Sequence, residues 1–267
     1  MAYRSEQVEN LYTHRDTLFG KLLNLQAKVL SAAKPHPANQ PLRECIEHGA
    51  ARRLGVMRST LMNVFSLFPP ETKARLAADV LHDLDINLHA FLINVAGIGD
   101  NWAWAYVLRH NIESDFAKRT HIGLFMKETI RRFPEALRKY LKAKDAATWY
   151  HDYAKVYRDG LAHGIPAYLP PAQLSPKDRE RWHDLESQER VAREQNDEKR
   201  IEEVWDERGK LGAPCFLLVT SSGGNVHQVH LHAQMVSDVG FVVEFGELFL
   251  QHWNEQPSPL APKAGGA

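Results

Sequence analysis

The chain has 267 residues and carries 33 basic and 33 acidic side chains, so its formal net charge is zero. This length can bury the core of one large domain, and the balanced charge argues against a general binder of nucleic acids or membrane surfaces. Cys45 and Cys215 stand in no metal-ligand or redox spacing, which fits a reducing compartment. Without an apolar run of about 18 residues or a signal-like N-terminus, we expect a cytoplasmic protein that does not enter a membrane.

Three helices are predicted in the first hundred residues. Apolar residues recur at helical intervals over residues 5–32 and again from about 42 to 68, where Pro69 and Pro70 stop the second helix. A third helix is predicted from Glu71 onwards. The N-terminal part of the chain is therefore expected to be entirely helical.

Two glycines interrupt the third helix. Gly97 and Gly99 are expected to bend or end it, which would leave Asp100 and Asn101 projecting from the bend. Polar side chains at such a position are candidates for contacting a substrate bound by a neighbouring helix.

A basic segment follows, from Lys118 to Lys144. It contains nine Lys or Arg residues and two Glu residues. A segment of this kind is typical either of a solvated amphipathic face or of a surface that contacts phosphates. Arg131 and Arg132, near its centre, are candidates for holding an RNA backbone.

The next predicted helix, about residues 146–163, ends in Arg158-Asp159-Gly160-Leu161-Ala162-His163. Gly164 and Pro166 are helix stop signals, which place His163 at or next to the helix C-terminus. A permanent cation beside a side chain that titrates near neutrality is what phosphodiester binding or cleavage requires. Five positions correspond to about 140° around a helix, so two copies facing each other would complete this site better than one chain.

Other readings of these residues stay open. In the simplest one, His163 pairs with Asp159 on the surface and Arg158 is solvated. The same Arg-to-His spacing occurs at Arg43 and His48, but that pair lies inside a helix and has no stop signal after it. Aromatic residues upstream of the motif are more often core or dimer interface than a platform for stacked bases; they are Trp149, Tyr150, Tyr153 and Tyr157.

The C-terminal third combines a charged helix, a hairpin and a final helix. Twelve acidic and seven basic residues between Asp178 and Arg208 predict a long, solvated helix over about 176–209. Two apolar runs within about 214–232 predict a β-hairpin, and a last helix is predicted over about 237–253. The Pro-, Gly- and Ala-rich stretch 256–267 is expected to be disordered.

Histidine clusters raise a metal-dependent alternative. His82, Asp85 and His89 share one helical face, which is compatible with a metal-dependent phosphohydrolase. A second cluster is predicted on the hairpin, formed by His227, His230 and His232. Alternating histidines also occur on ordinary half-exposed strands, so we predict no metal site.

The sequence Arg158-Asp159-Gly160-Leu161-Ala162-His163 resembles the motif of the HEPN superfamily, the higher eukaryote and prokaryote nucleotide-binding proteins. The resemblance implies a mainly α-helical bundle that dimerises, with a HEPN-like core over about 70–166 inside one domain of residues 1–255. It also implies RNA cleavage without metal or cofactor at the dimer interface. Arg158 would stabilise the scissile phosphate, Asp159 would orient its neighbours and His163 would transfer the proton.

The resemblance therefore favours an endoribonuclease of a toxin or defence system. Its implied partners are a second copy of the chain, RNA, and an antitoxin or regulatory protein. Asp100, Asn101, Arg131 and Arg132 are the residues expected to contact substrate. The alternatives are a non-catalytic nucleotide-binding or protein-interaction module on the same fold, and the metal-dependent phosphohydrolase.

Overall fold

The structure is a computed structural model and describes residues 3–222 and 225–257. It is mainly α-helical with a small two-stranded antiparallel hairpin near the C-terminus, so the predicted fold class is confirmed. Of the predicted disordered tail 256–267, residues 258–267 lie outside the described residues. No helix within the described part of the chain combines the length and apolar character needed to cross a membrane.

The first half of the chain forms long helices separated by short loops. Their bounds are α1 (Ser5–Ala33), α2 (Gln40–Arg43), a π-helical turn (Glu44–Ala50), α3 (Ala51–Leu67) and α4 (Ala78–His110). The third helix thus begins at Ala78 rather than at Glu71. The Glu71 carboxylate instead accepts a hydrogen bond from the Tyr12 hydroxyl at 2.8 Å, in the loop that joins α3 to α4.

The basic segment and the motif helix are broken into short elements. These are two 3-10 turns (Glu113–Asp115 and Arg119–His121), α5 (Lys127–Arg132), α6 (Glu135–Lys142), α7 (Lys144–Trp149), a π-helical turn (Tyr150–Ala154) and α8 (Lys155–His163). The motif therefore lies at the end of a helix, as predicted, and α8 packs against α4.

The remaining elements are a helical hairpin, the β-hairpin and a long last helix. They comprise α9 (Pro176–Glu194), α10 (Glu198–Gly209), β1 (Leu217–Ser222), β2 (Asn225–His230) and α11 (Leu231–Gln251). The charged segment is thus two helices, not one, because Asn196 adopts a left-handed conformation with φ of 54° between them. The last helix begins six residues before position 237, which moves His232 from the predicted strand into α11.

The core forms where α1, α3, α4 and α11 pack against one another. Leu25 of α1 is fully buried, and α11 approaches it closely because Gly246 has no side chain. A Cβ atom at Gly246 would lie 2.6 Å from Leu25 Cδ2. Apolar burial of this kind provides most of the stability of such a bundle.

Gly97 and Gly99 do not end the helix, since both lie inside the continuous helix α4. Their role is to allow close packing. A Cβ atom at Gly97 would lie 2.7 Å from Arg53 Cζ, and one at Gly99 would lie 3.0 Å from Leu124 Cδ2. The polar residues that follow are consequently held on the same continuous helix.

The α9–α10 hairpin, which we call the arm, contacts the loop between α3 and α4, where Arg75 donates to the Arg208 carbonyl at 2.8 Å, and leaves the rest of the protein at its base. Gln173 and Ala213 exchange two backbone hydrogen bonds of 2.8 and 3.0 Å, so the chain leaves and returns at one place. We expect deletion of residues 175–211, with a short glycine-serine linker in their place, to preserve cooperative unfolding of the remainder. Thermal unfolding followed by circular dichroism measures this, and loss of a cooperative transition would show that the arm belongs to the core.

Candidate functional site

A cavity of about 530 Å³ lies beside the motif helix, among α4, the segment before α5, α7–α8 and α11. We call it the aromatic cavity because seven aromatic side chains line it. They are Trp102, Trp104, Phe125, Trp149, Tyr150, Phe241 and Phe245. Its size falls within the range of small-molecule sites, which are mostly apolar with a few polar groups.

Ring stacking fixes two walls of the aromatic cavity. Trp149 stacks on Phe241 with 3.7 Å between ring centroids, and Phe125 stacks on Tyr150 at 4.0 Å. Residues from α7 and α11 thereby form one wall, and the loop before α5 meets the π-helical turn at the other. Such stacked pairs limit rotation of the rings and keep the cavity open in a defined shape.

Three basic side chains also line the cavity: Arg119, Lys155 and Arg158. Arg158 donates to the adjacent Asp159 carboxylate, with both Nε and Nη2 at 3.2 Å from Oδ1, yet 42% of its side chain remains exposed. Lys155 Nζ lies 3.7 Å from the other oxygen of Asp159. The motif aspartate therefore orients two cations at the cavity instead of pairing with His163.

Arg119 approaches the cavity from the basic segment. Its guanidinium lies over the Trp104 ring, 4.8 Å from the centroid, and its Nε is 3.2 Å from a Glu113 carboxylate oxygen. Its side chain is 76% exposed. Because an exposed ion pair of this type contributes little, Arg119 can exchange Glu113 for an anionic ligand at low cost.

Asp100 of α4 faces the same cavity. Partial burial raises the pKa of the Asp100 carboxyl above its usual value. The positive charges of Arg158 and Arg53 oppose this rise. The backbone N–H of Leu124 also donates to the carboxylate. Asp100, predicted from the sequence to contact substrate, and Arg158 of the motif thus line the same cavity within one chain.

The π-helical turn Tyr150–Ala154 places the motif relative to the cavity. A π turn adds a residue to a helical turn and rotates the following side chains. Tyr150, Ala154 and Arg158, four residues apart, consequently line the cavity together. Nothing in the residue pattern distinguishes this turn from ordinary helix, so the sequence does not predict it.

Asn101 does not line the aromatic cavity. Its Oδ1 accepts a hydrogen bond from Arg53 Nε at 2.8 Å, and its backbone carbonyl accepts from Cys45 Sγ at 3.3 Å. It also packs on Gly49, where a Cβ atom would lie 2.5 Å from Asn101 Nδ2. Asn101 thus joins α4 to the π-helical turn Glu44–Ala50.

His163 is the last residue of α8 and is exposed. It does not line the cavity, and it makes no hydrogen bond or ion pair within residues 3–222 and 225–257. One chain therefore does not bring His163 and Arg158 into a common cleft, as their angular separation on a helix predicts.

The other predicted basic residues lie elsewhere. Arg131 is exposed and outside the aromatic cavity. Arg132 is buried, with 10% of its side chain exposed, and forms an ion pair with Asp115. Its guanidinium therefore anchors α5 to the 3-10 turn Glu113–Asp115. In the second Arg–His pair, Arg43 and His48, the arginine forms an ion pair with Glu47 at 3.1 Å.

One histidine from each predicted cluster contacts a backbone carbonyl group. His89 Nε2 lies 2.7 Å from the Ala167 carbonyl oxygen, and His232 Nε2 lies 2.7 Å from that of Phe68. Burial lowers the pKa of His232 to about 4. Within the described residues, no three or more His, Cys, Asp or Glu side chains are grouped so that they could hold a metal ion.

A buried carboxylate behind the cavity wall was not predicted. Asp238 of α11 is fully buried, and its Oδ1 accepts hydrogen bonds of 2.8 Å from both Trp149 Nε1 and Gln234 Nε2. Burial raises its pKa to about 7, and these hydrogen bonds only partly oppose the rise. An aspartate inside the apolar run of α11 was the available signal, because such residues are rarely fully buried without partners.

Comparisons with protein-family models, with curated proteins and with solved structures find no match to this chain.

Proposed function

We propose that the protein binds a nucleotide in the aromatic cavity. The observation that carries this proposal is the combination of stacked aromatic walls with three basic side chains on the same 530 Å³ cavity. A nucleotide needs both features, because its base has a flat face that stacks on aromatic rings and its phosphate needs cations. This is the non-catalytic alternative that the HEPN resemblance implies.

Different side chains would bind the base and the phosphate. The base would insert among the rings, near the stacked pairs formed by Trp149 with Phe241 and by Phe125 with Tyr150. Arg158 and Lys155 would bind the phosphate, since both line the cavity and both are about half exposed. Asp159 forms an ion pair with each of the two cations and so holds them near one another.

We expect Arg158→Ala to weaken mononucleotide binding by about tenfold to a hundredfold, because a hydrogen bond to a charged group contributes about 1.5–3 kcal/mol. Arg131→Ala is the matched control, since Arg131 is an exposed arginine outside the cavity. Isothermal titration calorimetry with AMP, GMP, CMP and UMP measures the affinities. Failure of every mononucleotide to bind, or equal binding by Arg158→Ala, would refute the proposal.

An endoribonuclease is the second candidate, and His163 favours it. This histidine is exposed, has no partner within the described residues and lies on the helix that carries Arg158 to the cavity. In a homodimer, His163 of the partner subunit would supply the proton-transfer group for a phosphodiester bound by Arg158. The attacking group would be the RNA 2′-hydroxyl, which displaces the 5′-oxygen and leaves a cyclic phosphate.

Mixing two inactive variants tests a site shared between subunits. Arg158→Ala and His163→Ala should each abolish RNA cleavage in EDTA, but a mixture of them should regain up to about a quarter of the wild-type activity. Random pairing makes half of the dimers mixed, and each mixed dimer contains one intact site of two. Cleavage that persists in both single variants would refute this mechanism, and mixtures without any recovery would refute the shared site.

A further inference from the structure

Asp100 is the only carboxylate among the described residues that line the aromatic cavity. It is not neutralised by a direct contact. Arg158 and Arg53 act on it through space, but within the described residues Asp100 forms no ion pair with either. Its remaining acceptor positions are available to a ligand, because a carboxylate has about four lone-pair sites and Leu124 uses one of them.

Gly123 allows the loop opposite Asp100 to approach the carboxylate closely. Gly123 lies beside it, and a Cβ atom on that residue would be 3.0 Å from Asp100 Oδ1. Any larger residue at position 123 would crowd the oxygen. The carboxylate lines the cavity and is held in place by the backbone N–H of Leu124.

The four bases present different hydrogen-bond donors and acceptors to such a carboxylate. An ionised carboxylate only accepts hydrogen bonds, and guanine presents two adjacent donors, N1–H and N2–H₂, on one edge. Adenine and cytosine each place a ring-nitrogen acceptor next to their amino group, and uracil places its single N–H between two carbonyl oxygens. A base that covers the carboxylate without donating to it leaves the acceptor unpaired, which disfavours that base.

We propose that the aromatic cavity selects guanine nucleotides and that Asp100 is the residue that recognises the base, accepting hydrogen bonds from N1–H and N2–H₂. This inference rests on the proposed nucleotide-binding function and adds its specificity. In this arrangement the guanine ring stacks on the aromatic walls, Asp100 reads its edge, and Arg158 with Lys155 holds the phosphate.

The affinities of GMP, IMP, AMP, CMP and UMP, measured by titration calorimetry with the whole chain, test the inference. GMP should bind about tenfold to a hundredfold more tightly than AMP, because a bidentate contact discriminates bases by about 1–3 kcal/mol. IMP, which keeps N1–H but lacks the 2-amino group, should fall between them. Equal affinities for all five would overturn the guanine assignment while leaving nucleotide binding intact, whereas no binding at all would overturn both.

Asp100→Asn provides the second test. An amide offers one acceptor and one donor, which match N6–H₂ and N1 of adenine, so the variant should lose its preference for GMP or reverse it toward AMP. Gly123→Ala should weaken GMP binding without affecting AMP equally, since its methyl group crowds Asp100. A GMP-to-AMP ratio that stays at the wild-type value in both folded variants would overturn the assignment to Asp100. If Asp100→Asn fails to fold, the ratio in wild type and in Gly123→Ala still decides.

Discussion

The free energy of unfolding of the wild type, measured relative to that of Asp238→Asn, should fall as the pH rises from about 4 to above 7. The comparison is needed because buried His232, whose pKa is lowered to about 4, makes both proteins more stable over the lower part of this pH range. Burial raises the pKa of Asp238 from 3.8 to about 7 in the folded protein. The folded state therefore holds this proton more tightly than the unfolded chain does. The contribution to stability is complete below the unfolded pKa and is lost as the pH rises through the folded pKa, with a loss on the order of 4 kcal/mol.

The hydrogen bonds of Asp238 explain why asparagine is the right replacement. Oδ1 accepts from Trp149 and Gln234, and the amide oxygen of asparagine can accept from the same two donors. The amide has nearly the same shape but does not ionise, so the variant avoids a buried charge at high pH. Asp238→Ala would instead leave both donors unpaired and should destabilise the protein at every pH.

Urea denaturation at half-unit steps from pH 4.5 to 8.5 measures the effect, and the difference between wild type and variant isolates Asp238 from other titrating groups. Asp83→Asn, at an exposed position on α4, is the control and should follow the wild-type profile. Parallel profiles for wild type and Asp238→Asn would show that this carboxylate ionises in the folded protein as it does in the unfolded chain.

Much of the fold follows from local sequence patterns. Helical periodicity and proline stops predict α1 and the helix that ends near Leu67, and Gly164 and Pro166 correctly predict the end of α8. These signals are local, because a helix requires only that nearby residues share a face and that its ends be terminated. The hairpin is predicted for the same reason, from two apolar runs separated by a glycine turn.

Positions that depend on tertiary contacts are predicted less well. Gly97 looks like a helix breaker, but it lies inside a continuous helix, where the guanidinium of Arg53 occupies the space of its missing side chain. The last helix begins at Leu231 because His232 is stabilised in the core by the Phe68 carbonyl, a contact across 164 residues of sequence. Neither contact leaves a trace in local periodicity.

The candidate site shows the same division. The sequence identifies Arg158 and Asp100 as candidate site residues, and both line the aromatic cavity. It does not identify the cavity itself, because Trp149 and Phe241 come together from helices far apart in the chain. A stripe of aromatic residues on the motif helix indicates burial, but only packing decides which rings face a cavity: Trp149 and Tyr150 do so, while Tyr157 is buried in the core.

Trp149→Ala should have the largest combined effect on stability and binding, destabilising the protein by about 3–5 kcal/mol and reducing nucleotide affinity at least about tenfold. The residue is 9% exposed, stacks on Phe241 at 3.7 Å and donates to buried Asp238 at 2.8 Å. Its removal therefore leaves a void, an unsupported cavity wall and a carboxylate with one donor fewer. Urea denaturation measures the stability, and calorimetry measures the affinity.

Trp149→Phe separates the ring from its N–H group. Phenylalanine preserves an aromatic wall but cannot donate to Asp238, so this variant should retain most of the nucleotide affinity and lose stability mainly above pH 7, where the carboxylate is ionised and most needs the donor. Combining it with Asp238→Asn in a double-mutant cycle should give a coupling energy of about 0.5–3 kcal/mol above pH 7 and less at pH 5. Strictly additive effects at both pH values would show that Trp149 supports the cavity through its ring alone.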